Sequence, residues 1–155
     1  MEALWASAVA VLGTLLGSVV THAFQRRDAR RAEEFARSEA LRQERITTYS
    51  TFAAAVEDYR HGQSDRWYRS VGDPGGTAFI AARDEAHRLR TVARQALYRV
   101  KLLTDDAQVT AAAERAYRCT WAVSTAREQE EHDALDTESR RAIEGFVSVA
   151  APLVR

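Results

Sequence analysis

AFIAARDEAHRLRTVARQALYRVKLL, residues 78–103, carries the most regular pattern in the chain. Its apolar positions Phe79, Ala82, Ala86, Leu89, Ala93, Ala96, Val100 and Leu103 advance in alternating steps of three and four. That spacing places them on one face of a helix and marks the seam of a helical bundle, because a strand would need alternation by two. Just before it, Gly72-Asp73-Pro74-Gly75-Gly76 gathers the residues that favour turns and positive φ, so one helix ends there and the next starts after Gly76 or Thr77.

Downstream, Thr104 or Asp105 is expected to cap a third helix, with Gln108 three residues after Asp105 completing a capping-box-like signal. Val109, Ala112, Ala116, Cys119, Val123 and Ala126 form its apolar stripe. A polar stretch from Glu128 to Asp136, with a loop histidine at His132, then separates it from a fourth helix. Leu135, Ala142, Ile143, Phe146, Val149 and Leu153 supply that helix with its apolar side. Upstream, Ile46, Tyr49, Phe52, Ala53, Val56 and Tyr59 recur at helical spacing. Trp67 and Tyr68 either extend that helix or fold as a flap over the end of the core. Connections this short force antiparallel neighbours, so residues 46–155 are expected to form a three- or four-helix up-and-down bundle.

Residues 26–45 read as a charged helical stalk: Arg30 with Glu34 and Glu33 with Arg37 stand four apart, and only Phe35 and Leu41 are sizeable apolar residues. Before it, Ala3 to Phe24 holds no charged residue unless His22 is protonated, and as a helix it would span roughly 33 Å, the thickness of a bilayer core. Residues 1–25 are therefore read as a single transmembrane anchor. A cleaved signal peptide would want basic residues ahead of the apolar run, and an interfacial helix would want a polar face; a buried core helix would normally be shorter. Arg26, Arg27, Arg30 and Arg31 follow the run, while Glu2 is the only charge before it, so the positive-inside rule places the body in the cytoplasm. Those four arginines could also hold anionic lipid head groups. Gly13 and Gly17 form a GxxxG flanked by Ala10 and Thr21 on the same small-residue face, which predicts self-association of the anchor and a homo-oligomer.

The remaining features limit the chemistry. Twenty-two basic and 22 acidic residues balance, which argues against a surface built throughout for a polyanion. The lone Cys119 cannot pair within the chain, and a reducing compartment suits it. Asp58 with His61 and Asp84 with His87 are spaced as bundle metal ligands are. The glutamates such sites use are missing, however, and arginines lie alongside, so solvated side chains account for them better. No cofactor is expected and no catalytic motif appears. Arg83, His87, Arg90, Arg94, Tyr98 and Lys101 fall on one stripe beside the seam of the second helix, and Arg83, Arg90, Arg94 and Lys101 are the candidates for contact with nucleic acid or a protein partner. Tyr117 and Trp121, four apart and off the third helix's stripe, flank the bundle or face a partner.

Several segments resemble the KilB family, small actinomycete membrane proteins of mycelial plasmid spread: the Trp-containing start with Gly13–Ser18, the exit Gln25–Arg31, the stretch Tyr59-Arg60-His61 followed by Trp67, and the alanine-rich helices from Ala78 onward. The resemblance covers most of the chain. It implies a membrane-associated, non-enzymatic protein that assists the spread of mobile DNA. It brings no catalytic residues with it. The expectation is thus an all-α protein, one transmembrane helix followed by an antiparallel cytoplasmic bundle, acting as an interaction or scaffold protein; the alternative is a membrane-associated DNA-binding accessory that uses the arginine-rich stripe.

Overall fold

The computed structural model describes residues 31–155 in full and residues 2–30 by their helical backbone alone. The elements are α1 (Glu2–Gly72), α2 (Thr77–Leu103), α3 (Ala107–Ala122) and α4 (Gln129–Ala150), with single 3-10 turns at Val123–Thr125 and Ala151–Val154. Among the described residues there is no strand, and no helix is long and apolar enough to cross a membrane. The side chains of the run Ala3–Phe24, including Ala10, Gly13, Gly17 and Thr21, lie outside the described residues, as do those of Arg26, Arg27 and Arg30.

Met1–Leu41 and Arg42–Arg155 form two compact units. In the first, residues 31–41 are exposed, Arg31 included, and Phe35 stands 73% open to solvent. This follows from the sequence: charges surround every turn and leave no apolar face wide enough to bury.

The second unit is a four-helix up-down-up-down bundle. Tyr49, early in the packed part of α1, meets Phe146 late in α4, while Trp67 near the end of α1 meets His132 at the start of α4, so these helices run antiparallel. Cys119 and Thr120 of α3 face Glu138 and Ser139 of α4, and Lys101 at the end of α2 reaches Glu114 in α3. Trp67 and Tyr68 are helical, and Trp67 is buried.

The turns follow from their residues. Gly75 adopts φ 109°, a backbone conformation L side chains rarely take, and Gly76 donates to the Asp73 carbonyl at 3.1 Å. Between α2 and α3 the expected cap moves by one or two positions. Thr104 closes α2, donating its backbone N–H to the Val100 carbonyl. Its hydroxyl accepts from the Asp106 N–H, and the Asp106 carboxylate in turn accepts from the N–H groups of Gln108 and Val109 at 2.8 and 3.1 Å. Asp106, not Thr104 or Asp105, is therefore the N-cap. The polar stretch from Glu128 is likewise no separator. It is the first turns of α4, in which Glu131 reaches back to the Arg127 N–H at 2.7 Å and acidic side chains suit the positive end of the helix.

The core changes character along its length. Near Arg42 it is apolar, with Phe52 and Tyr49 both edge-on to Phe146 at 4.8 and 5.9 Å, and Val56, Val100 and Val109 fully enclosed. Alanines at 93, 96, 113, 116, 142 and 150 let the helices approach. Leu97, absent from the expected seam of α2, is buried as well. Further along, small polar residues replace aliphatic ones. The inward row of α3 is Val109, Ala113, Ala116 and Thr120, continued by Val123 in the 3-10 turn after it, so Ala113 and Thr120 take the places expected of Ala112 and Cys119, which are half-buried. Thr120 fits because its hydroxyl is satisfied twice, by the Ala116 carbonyl at 2.9 Å and by Ser139 at 2.7 Å.

Candidate functional site

At the far end of the bundle, α1 supplies polar groups that hold the others together. Gln63, almost wholly buried, donates its amide to the Trp121 carbonyl at 3.1 Å and to Ser124 Oγ at 2.9 Å. Trp67 donates its indole N–H to the Ala126 carbonyl at 2.7 Å. A helix C-terminus leaves its last carbonyls without partners, and here α1 side chains satisfy two carbonyls at or just beyond the end of α3. His132 is not a loop histidine. It is buried in the first turn of α4, stacked on Trp67 at 4.4 Å, with Ser64 Oγ 3.3 Å from its Nε2 and Asp133 3.2 Å from its Nδ1.

Beside it lies a charged cluster. The Arg60 guanidinium is bonded to Asp136 and, at 2.6 Å, to Glu57, and Asp136 also accepts from Arg140 at 3.2 Å. The hydrogen bond from Arg60 holds the Glu57 carboxyl below its ordinary value, against the effect of burial. Burial pushes Asp136 up, but the bonds and charges of Arg60 and Arg140 together outweigh it and keep this carboxyl low as well. Every member is accounted for by another, so the cluster is a cross-link between α1 and α4. His61 Nε2 lies 2.9 Å from the same guanidinium.

The candidate metal pairs lie on the outer faces of α1 and α2. Asp58, His61, Asp84 and His87 are exposed, and among the described residues no three His, Cys, Asp or Glu side chains converge. His61 sits 3.7 Å from Glu57.

The arginine stripe of α2 meets α3, which sequence spacing could not show. Arg83 is bonded to Asp84 of its own helix, and Lys101 pairs with Glu114 at 2.7 Å. Arg90 Nε approaches the Tyr117 hydroxyl at 3.4 Å, and Arg94 is exposed with no ion pair among the described residues. The row of four candidates is thus neutralised at both ends and cationic only at Arg90 and Arg94. Two aromatic side chains of these helices are exposed, Tyr98 of α2 at 55% and Trp121 of α3, one turn from Tyr117, at 50%. Beneath them Tyr59 lies 5.9 Å from Tyr117, and burial, with Tyr117 adding to it, pushes the Tyr59 phenol up to about 12. The phenol is neutral and serves as floor. Arg90 with Tyr117 and Lys101 with Glu114 are thus the contacts by which the stripe of α2 meets α3.

A family model described as KilB plasmid transfer protein matches residues 46–154, well over half of the chain. No curated protein and no solved structure gives a significant match.

Proposed function

This chain belongs to the KilB plasmid transfer protein family, and we propose that it serves plasmid transfer as a non-enzymatic, membrane-anchored interaction protein that docks another protein on its α2–α3 face. The observation that carries this reading is the contact of Arg90 with Tyr117 between α2 and α3, with Arg94 and Tyr98 exposed on the one helix and Trp121 on the other. Trp, Tyr and Arg are the residues on which protein interfaces concentrate their binding energy, and exposing two large rings to water has no folding benefit of its own. A partner that fits presents carboxylates to Arg90 and Arg94 and an apolar surface to the rings.

The DNA-binding alternative has less support. With Arg83 and Lys101 already paired, two arginines remain for phosphates. They would give a logarithmic salt slope of only about 2, whereas strong binders make about 6–10 phosphate contacts.

In this reading Ala3–Phe24 is the anchor, Arg26, Arg27, Arg30 and Arg31 mark its cytoplasmic side, and the face of Ala10, Gly13, Gly17 and Thr21 joins copies in the bilayer. The test is a mating assay with the double variant Trp121→Ala, Arg94→Glu on the plasmid. Spread should fall at least tenfold while the helical circular dichroism of the purified protein is unchanged. Unchanged spread would refute the docking face, and recovery of the full-length protein away from membranes on flotation would refute the anchor. Gly13→Ile with Gly17→Ile should shift the oligomeric state in detergent towards the monomer.

A further inference from the structure

At the far end of the bundle, the hydrogen bonds around His132 do not close while its ring is neutral. The residue is 3% exposed, and its ring is stacked on Trp67 at 4.4 Å and tilted against Tyr68 at 5.0 Å. Nδ1 is 3.2 Å from the Asp133 carboxylate, which also accepts from Gln129 at 2.8 Å, and Nε2 is 3.3 Å from Ser64 Oγ. Ser64 Oγ in turn stands 3.4 Å from Asp136 Oδ1, the oxygen bonded by the Arg60 guanidinium. A single α1 hydroxyl is thus nearly equidistant from two α4 groups one turn apart, and it has one proton to give.

A carboxylate only accepts, and a neutral imidazole offers one N–H and one lone pair. With the proton on Nδ1, Asp133 is served, but Nε2 then takes the Ser64 proton and Asp136 loses it. With the proton on Nε2, Ser64 can serve Asp136, but the Nδ1 lone pair faces the Asp133 carboxylate. Only the imidazolium donates to Asp133 and to Ser64 together and leaves the serine proton for Asp136. The charged and titratable groups around the ring are Asp133 and Asp136 of α4 and Tyr68 of α1, with Arg60 of α1 behind Asp136 and His61 2.9 Å from that guanidinium. We propose that His132 is a proton-operated latch. Its imidazolium completes a chain of hydrogen bonds from Asp133 through His132 and Ser64 to Asp136 and Arg60, and its deprotonation removes one link, so that the first turns of α4 part more often from the end of α1. Because the chain is complete only with the proton bound, this end is held most tightly at mildly acid pH and loosens as pH rises.

The test is hydrogen exchange of the full-length protein in detergent micelles at about pH 5.5 and about pH 8, each rate divided by the intrinsic rate at that pH so that only opening is compared. Glu57 and Asp136, whose carboxyls are held low, keep their charge between these values. Amides of residues 64–70 and 133–140 should open about three- to tenfold more often at the higher pH, the worth of one hydrogen bond, while those of residues 49–56 in the apolar half should not change. His132→Gln, which has no proton to gain, and Ser64→Ala, which removes the bridging hydroxyl, should each cut the difference below about twofold. His61→Gln should keep it. Should His132→Gln lose helical circular dichroism, Ser64→Ala decides. Equal opening at both pH values in the wild type, tighter closure at the higher pH, a full difference surviving in Ser64→Ala, or its disappearance in His61→Gln would overturn the proposal.

Discussion

Replacing Asp136 with alanine removes one of the two carboxylates that face the Arg60 guanidinium. The side chains of Arg60 and Asp136 are 8% and 15% exposed, so this is a buried ion pair. Breaking such a pair from one side costs about 3–5 kcal/mol, chiefly because the other charge is left without a counterpart. Here Glu57 remains at 2.6 Å, so the loss should be smaller, about 2–3 kcal/mol. In urea, followed by tryptophan fluorescence, that is a fall in midpoint of about 1–2 M with an unchanged slope. Asp136→Asn keeps an acceptor and should lose about half as much. The double variant Arg60→Met, Asp136→Leu removes both charges and should lie within about 1 kcal/mol of the parent, since a well-packed apolar pair replaces a buried salt bridge at little cost. The reasoning is refuted if Asp136→Ala stays within about 0.5 kcal/mol of wild type, or if the double variant is no better than the alanine one.

The same cluster sets a pH limit. The folded state lowers the Glu57 and Asp136 carboxyls, so their stabilisation is complete above the ordinary carboxylate values, near pH 4, and is lost as pH falls through the lower folded values; urea midpoints should drop on that acid limb, less so for Asp136→Asn. Gly75→Ala should cost about 1–2 kcal/mol in thermal or urea unfolding, because φ 109° strains any L side chain. Trp67→Phe forfeits the bond to the half-buried Ala126 carbonyl, so a loss of about 0.5–1.5 kcal/mol is expected, with earlier hydrogen exchange at residues 123–128 as its local signature.

Much of the fold is legible in the residues because long apolar periods and a Gly-Pro turn leave few alternatives. The seam of α2 reads correctly since Leu89 and Val100 stand out against charged neighbours. The register of α3 does not, because adjacent small residues, Ala112 with Ala113 and Cys119 with Thr120, give hydropathy little contrast. What places Thr120 inside is a partner, Ser139, that only the folded chain supplies. His132 hides in the same way: five acids lie within four positions of it in sequence, while the ring that buries it, Trp67, is 65 positions away. For the candidate docking face, each half is readable on its own helix. Arg90 and Arg94 follow a stripe, and Tyr117 and Trp121 stand off another, but their meeting depends on how α2 lies against α3.

The hydrogen bond from Arg42 to the Val154 carbonyl at 3.1 Å ties the two ends of the bundle together at one pole. Tension applied between those ends would act as on a zipper, peeling α1 from α4 one turn at a time instead of shearing all their contacts at once. Such a geometry yields at low force, and the first contacts to part would be Arg42 with Val154 and then Tyr49 with Phe146, so mechanical load would reach the apolar half of the core before it reached the Arg60 cross-link.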